Sequence, residues 1–370
     1  MTASHDSTKT SKRTDISVVG TGSLARAFCY ALALAPIEGI RVVVLGRERR
    51  SAEEVTAVAN ARAAESSGDF SFRGNSIDWS EPTDLAEKIA GRHPRVVFHT
   101  ATLQSPWALH EPTPWRDLVY AAGFGVTLPL QAALASRVGG LLRDSGHNTV
   151  LVNACYPDAV NALLDRLGLP ILCGIGNVGI LSAFLAHRLS GKGSSALHVV
   201  AHHVHISGFP LLAGSEPTRP RAWLGEEPIH DLSEAVAAIR AVPGAEINHV
   251  VGAHAVSVIS ALLTGRAKRL HVPGPFGLLG GYPVWVEEGR MRLDLPAGIS
   301  EDEAVRLNAR ATIEEGTEPM DEEGFVRFAP RAVEALRPHV GSLAEGFHVS
   351  DLEAVADEFL QLRERLSRSS

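Results

Sequence analysis

The chain has 370 residues, 45% hydrophobic and 21% charged, enough apolar material for two packed domains without staples. Its formal net charge of −7 argues against a nucleic-acid partner, because binding a phosphate backbone needs a basic face. The three cysteines, Cys29, Cys155 and Cys173, lie in apolar runs without CxxC spacing, so reduced thiols in a cytoplasmic protein are expected rather than a disulfide framework.

Residues 1–14 read as a polar, frayed tail with no apolar signal core. Downstream, no apolar run approaches the ~18 residues of a membrane span, so no membrane partner is expected. From Asp15 the pattern changes. "ISVVGTGSLARAFCYALAL" is a β-branched run, a glycine turn and then apolar residues at helical spacing: strand, turn, helix. Gly20, Gly22 and Ala25 form G-x-G-x-x-A at that junction, where the first glycine permits the turn and the second lets backbone approach a pyrophosphate. Ser23 and Leu24, opening the helix, join them as cofactor-binding candidates.

A second strand, "IRVVVLG", ends in Gly46-Arg47-Glu48-Arg49-Arg50. An NAD-preferring site places an acid there for the ribose 2′-OH. The missing acid and the added Arg47, Arg49 and Arg50 favour a 2′-phosphate, hence NADP(H), over the plain reading of a solvated charge run. Ser51 and Glu54 are spaced as a capping box, which would leave the arginines in the loop before the next helix, where its dipole disfavours cations unless an anion is present.

Further strands are expected at "RVVFHTAT" (95–102) and "NTVLVNACYP" (148–157), and "LPILCGIGN" closes the series. Alternating strands and helices imply a doubly wound parallel α/β sheet. The expected dinucleotide-binding domain covers 15–176 and a substrate α+β domain 177–370. Thr100, Ala101 and Thr102, at a strand's carboxyl end, are cofactor candidates. "VVAHHVHIS" (199–207) reads as a strand on which His203 and His205 share one face and His202 takes the other. Three histidines so disposed cannot converge on one ion, and no metal is assigned.

In this order the segments resemble the lactate/malate dehydrogenase superfamily, from about Ile16 to Glu315. The stretch "TATLQSPWALHEPTPWRDLVYAAGFGVTL" is similar to the family's strand, mobile loop and helix. "VLVNACYPDAVNALL" is similar to its strand ending in proline, "VVAHHVHIS" to the strand with the catalytic histidine, and the run from Asn248 to Ala309 to its closing elements. The resemblance implies a Rossmann-type sheet followed by a lactate/malate dehydrogenase-like α+β domain. It implies that His203 gives or takes the proton, which suits an imidazole titrating near neutrality, and that Arg116 polarises the acceptor.

Departures from the family narrow the chemistry. Where its helix carries Leu-Asp-x-x-Arg, this chain reads Leu181-Ser182-Ala183-Phe184-Leu185. Ser182 replaces the acid that orients the histidine, and Leu185 replaces the arginine that grips the substrate carboxylate in two-pronged fashion. Tyr156 precedes Pro157 where the family has Asn, with Asn153 three residues earlier. The expectation is therefore an NADP-dependent oxidoreductase acting on a carbonyl or imine of something other than a small 2-hydroxy acid, in specialised metabolism by analogy of fold. Gln104, Tyr156, His202, Asn248 and His249 are its pocket candidates, the partner is a small-molecule substrate, and a homo-oligomer, dimer or tetramer, is expected.

Two alternatives stand beside it. The NAD- and metal-dependent glycosidases of family 4 resemble this architecture and use a Cys and a His near "ILCG" and "NH"-like positions, and Cys173 lies there. The other is a non-catalytic dinucleotide sensor. Beyond residue 316, Leu352, Val355, Ala356, Phe359 and Leu360 recur at helical spacing behind a Ser350/Glu353 capping box, which predicts a packed helix. The insertion 209–228 reads as an exposed loop or hairpin.

Overall fold

The computed structural model describes residues 14–66, 69–189, 196–207 and 217–368. Six strands form a parallel sheet: β1 (Ile16–Val19), β2 (Ile40–Gly46), β3 (Phe70–Ser76), β4 (Val96–His99), β5 (Val150–Asn153) and β6 (Ile171–Gly174). Their order is 3-2-1-4-5-6. The chain changes direction across the sheet between β1 and β4, and in such a sheet the crevice at the carboxyl ends of the strands at that point is where ligands bind.

Helices α1 (Ser23–Leu32), α2 (Arg49–Ala64), α3 (Pro82–Leu85), α4 (Pro114–Ala122), α5 (Leu128–Asp144) and α6 (Pro157–Arg166) connect and cover these strands. Gly20 makes the first turn possible: its φ is +123°, and a Cβ there would lie 2.3 Å from Thr100 Oγ1. Strand β3 has no clear signal in the sequence because it is the sheet's edge. Of its seven residues only Phe72 is fully buried, so a polar run, "FSFRGNS", serves as well as an apolar one. Helix α2 begins at Arg49 behind Glu48, earlier than the expected capping box, so Ser51 lies inside the first turn and caps nothing. Arg49 and Arg50 are thereby in the helix, each paired one turn ahead, with Glu53 at 2.7 Å and Glu54 at 3.1 Å.

The rest of the chain runs α7 (Asn177–Arg188), β7 (Leu197–Val200), α8 (His203–Ile206), β8 (Arg221–Leu224), β9 (Glu227–Ile229), α9 (Ser233–Ala241), α10 (Gly244–Thr264), β10 (Lys268–Pro273), β11 (Gly281–Glu287), β12 (Arg290–Leu293) and α11 (Glu301–Glu314). Two antiparallel sheets, β7-β8-β9 and β10-β11-β12, meet at a bridge between Ala201 and Gly281. The expected insertion is thus partly the β8-β9 hairpin, and its residues 209–216 lie outside the described ones, as do residues 1–13 of the expected tail. Helix α10 departs from the sequence reading: its 21 residues at mean hydropathy 1.5 are long and apolar enough to cross a membrane, yet half of that stretch is buried inside the protein. It packs on α1 at Gly252, where a Cβ would fall 2.7 Å from the backbone of Ala27.

Strand β13 (Phe325–Arg327), α12 (Pro330–Val340), β14 (Gly346–His348) and α13 (Leu352–Arg368) complete the chain. This segment packs back on the first unit, α12 on α4 and α13 on α5. Phe359 is fully buried, its ring 5.9 Å from that of Phe328. The expected Ser350/Glu353 box does not form. Ser350 bonds His348 and Asp351, and Glu353 receives both prongs of Arg137 at 2.7 and 2.6 Å. The helix predicted from the spacing of Leu352, Val355, Ala356 and Phe359 is present, with all four buried.

Candidate functional site

A cleft of about 1260 Å³ opens over the carboxyl ends of the sheet. Gly20, Gly22, Ser23 and Leu24 form one wall, Thr100, Ala101 and Thr102 another, and Arg47 stands at the end of β2. Gly22 occupies the N-cap of α1 with no side-chain cap, the first turn carries no acid, and a Cβ on Gly22 would meet nothing within 4 Å. Uncapped N–H groups, the helix dipole and open space together suit a diphosphate. Asn248 reaches from α10 to donate to Ser23 Oγ at 2.7 Å, which ties the second half of the chain to this turn.

The histidine run differs from its expected form. Strand β7 stops at Val200, and residues 203–206 wind into a single helical turn. The histidines cause this themselves. His202 Nδ1 accepts from Val204 N at 3.4 Å and His205 Nδ1 accepts from His202 N at 2.9 Å, a reciprocal cap. The strand alternation of faces is therefore lost. His202 is fully buried with Nε2 against Thr312 Oγ1 at 3.1 Å, and His205 is buried with Nε2 against Thr218 Oγ1 at 3.0 Å. Of the three, His203 lines the cleft.

Its support is a residue the sequence reading did not include. His203 Nδ1 is bonded to Glu315 Oε1, and Tyr156 donates its hydroxyl to Glu315 Oε2 at 2.7 Å. A carboxylate only accepts, so Nδ1 carries a proton and Nε2 is left as the nitrogen that can exchange one. The His203 backbone N–H donates to Asp158 Oδ1 at 3.0 Å, and Asn177 fixes the other Asp158 oxygen at 2.7 Å. Phe124 packs 4.9 Å from both the His203 and the Tyr156 rings. Glu315 follows α11 with its side chain 1% exposed. Gly123 and Gly125 admit its backbone: a Cβ on Gly123 would lie 2.3 Å from the Glu315 carbonyl, and Gly125 N donates to that oxygen at 2.7 Å.

The electrostatics follow from burial. Desolvation opposes charge on His203, but the adjoining Glu315 carboxylate and its hydrogen bond outweigh it, with Asp158 adding to them, and raise the imidazole pKa. Burial likewise opposes charge on Glu315, yet His203 holds its carboxyl below the usual range. Tyr156, buried beside that carboxylate, has its phenol pKa pushed well up.

Several expected site residues are elsewhere. Ser182 is not beside His203 and bonds His271 Nδ1 at 2.8 Å; Glu315 holds the place assigned to it. Arg116 does not line the cleft. It grips Asp117 at 2.6 Å and overlies Tyr120, because the first turn of α4 turns its side chain outward. Gln104 is buried beneath the loop after β4, accepting from Trp115 Nε1 at 2.9 Å and Arg363 Nη1 at 3.2 Å. Asn153 is buried against Cys155 and Asn161, and His249 is exposed on α10. The cleft instead takes Arg240, which also caps the His203 turn by donating to His205 O at 3.2 Å, and the apolar Ile180, Ile206, Ile239 and Val251. Leu185 is buried in the core. So is Cys173, with its thiol pushed up to about 12 by burial. Among the described residues no group of three His, Cys, Asp or Glu side chains is placed to hold a metal ion.

No protein family's sequence pattern matches the chain, nor does any curated protein. Solved structures do. MGS-M5, a lactate dehydrogenase from a Medee basin deep-sea metagenome library, is 18% identical with a TM-score of 0.52, covering 81% of this chain and 96% of its own. The malate dehydrogenase of Aeropyrum pernix gives 15% and 0.50, over 80% and 97%. The chain shares its fold with these lactate and malate dehydrogenases. The 6-phospho-β-glucosidase of Thermotoga maritima, solved with NAD and glucose-6-phosphate, also matches at 13% identity and a TM-score of 0.55, over 95% of this chain and 99% of its own. Its longer match takes in more of this chain than those of the dehydrogenases do.

Proposed function

We propose that the chain is an NADP(H)-dependent oxidoreductase that moves hydride to or from a carbonyl, or an imine, of a small molecule other than a 2-hydroxy acid. The observation that carries this reading is His203 in the cleft wall with its Nδ1–H committed to the buried Glu315. Gly20, Gly22 and Arg47 would hold the dinucleotide, which when bound would supply or accept the hydride at the carbon. In reduction His203 Nε2–H gives its proton to the oxygen, leaving an alcohol, an oxidised nicotinamide and a neutral imidazole; oxidation reverses each transfer. Glu315 orients the imidazole and favours its protonated form, and Tyr156 holds Glu315 in place by donating to its other oxygen. Arg240, beside the His203 turn, takes the oxygen-polarising part expected of Arg116. The isoleucines around it and the leucine at 185 support an apolar substrate without a carboxylate anchor, in keeping with a step of specialised metabolism.

The preference for the 2′-phosphate rests on Arg47 alone, since Arg49 and Arg50 are spent on Glu53 and Glu54. Titration calorimetry with NADPH and NADH tests it. Arg47→Ala is expected to weaken NADPH about tenfold or more, the size of one charged hydrogen bond, and to leave NADH unchanged, while Arg49→Ala/Arg50→Ala alters neither. Equal affinity for both dinucleotides in the wild type would overturn the NADP reading.

The glucosidase match gives a second reading, metal-assisted glycoside cleavage. It needs Cys173 at the cleft, and burial of that thiol in the core speaks against it. Activity abolished by a chelator, with sugar released and no net change in cofactor, would restore it. A dinucleotide sensor would keep its function in His203→Ala. The proposed assembly is a homo-oligomer, checked by sedimentation.

A further inference from the structure

A second pocket, of about 570 Å³, shares no lining residue with the cleft. Arg219 and Arg221 approach it from the entry to β8, two residues apart on an extended run and so on one face. Arg306 and Arg310 approach from α11, one turn apart. None of the four has an ion pair or hydrogen bond among the described residues. The one carboxylate in the lining, Glu303, hydrogen-bonds Ser300 in the cap of α11 and feels the charges of Arg221 and Arg306, so it offsets one of the four positive charges. Four guanidinium groups against one carboxylate in one small space leave a local excess of positive charge among the described residues. In a chain of net charge −7 such a concentration calls for an anion. Guanidinium forks match phosphoryl oxygens two at a time, so two pairs suit two phosphoryl groups, and the volume suits a small metabolite.

The pocket is also wired to the cleft. Thr218 lines it, donates its N–H to Glu314 Oε1 at 2.7 Å and holds His205 Nε2 at 3.0 Å through its hydroxyl. His205 belongs to the turn that carries His203, and Glu314 adjoins Glu315.

We propose that Arg219, Arg221, Arg306 and Arg310 form a binding site for a small anion bearing two phosphoryl groups, and that its occupancy is felt at the His203 turn through Thr218. An anion bridging the two arginine pairs would draw α11 and the β8 entry together; Glu315 follows α11, and Thr218 in the β8 entry holds His205 of the His203 turn.

Inorganic pyrophosphate is the probe, titrated into the full chain by calorimetry while the histidine ring resonances are followed by NMR. Two variants accompany the wild type: Arg306→Gln/Arg310→Gln, and Gly22→Asp, which sets a carboxylate at the α1 N-cap and blocks anions there. The expected result is binding in the wild type and in Gly22→Asp, weakening of about tenfold or more in the arginine variant, and movement of the His205 and His203 signals on binding. The arginines are surface residues, and an unchanged melting temperature shows that the variant is folded. Absence of binding in the wild type overturns the site. So does binding lost in Gly22→Asp but kept in the arginine variant, which would put the anion at the glycine turn. A change in solution mass in the arginine variant would assign the arginines to a subunit interface instead, and static histidine signals would remove the coupling.

Discussion

His203 differs from a surface histidine in its burial and in the Glu315 carboxylate beside it. The Glu315 carboxylate holds its imidazole pKa up, so the protonated, donating form persists to higher pH than the usual 6.5 of the side chain. Reduction needs that form, and its rate falls as pH rises through the raised value; oxidation needs the neutral form and rises over the same range. Glu315→Gln removes the charge and keeps the shape. It is expected to shift the descending limb of the reduction profile to lower pH and to cost about 10²-fold in kcat/KM, the usual scale for general acid–base work. An unshifted profile would mean that Glu315 only packs. Tyr156→Phe leaves the carboxylate in place and is expected to shift the limb the other way, since Glu315 then loses a donor and its charge falls more fully on His203. Arg240→Gln should lower kcat with little change in dinucleotide affinity, measured by calorimetry against turnover.

Among the elements, α13 has the clearest consequence for stability. Its apolar stripe lies on α5, and Phe359 is its fully buried centre. Phe359→Ala is expected to cost about 3–5 kcal/mol in denaturant unfolding, and a loss under about 1 kcal/mol, the scale of a surface change, would mark α13 as peripheral. Helix α13 also brings Leu360 and Arg363 to the cleft, where Arg363 donates to Leu103 O at 2.6 Å, so removing it should loosen the loop after β4 as well. The elements legible beforehand were those with buried, periodic faces: β1, whose four residues are all buried, and β2, with six of seven. The illegible ones were β3, an edge with one buried residue, and α8, a single turn made by side-chain caps. Neither capping box expected at a helix start formed, because the serine of such a box must be the N-cap itself: α2 starts two residues ahead of Ser51, and Ser350 lies inside the short turn capped by His348 that precedes α13, with Glu353 taken by Arg137.

The whole molecule carries histidines that burial keeps neutral. Desolvation lowers His99 and His254 to about 4 and His205 and His271 to about 3. Unfolded, each titrates near 6.5, so as pH falls below 6.5 the unfolded chain takes up protons that the folded one refuses, and stability is lost progressively towards pH 4. His203 has the opposite sign: its raised pKa gives stability fully present below 6.5 and lost as pH rises through the folded value. Four groups against one set the direction. The melting temperature is expected to fall steadily from pH 6.5 to 4, and a flat profile there would show that these histidines are not buried as described.

What the sequence determined by itself was everything whose physics is local. The glycine turn at 20–22, the β-branched runs and the apolar helical spacing are consequences of sterics and burial within some twenty residues, and they sufficed for the doubly wound sheet. Tertiary structure alone decided which groups meet. Glu315 reaches His203 across 112 positions, α13 returns to a helix more than 200 residues earlier, Ser182 turns to His271, and Arg116 faces away from the cleft. Contacts of that span leave no periodicity behind, because a buried carboxylate and an exposed one at the end of an amphipathic helix read alike until the partner that neutralises it is folded against it.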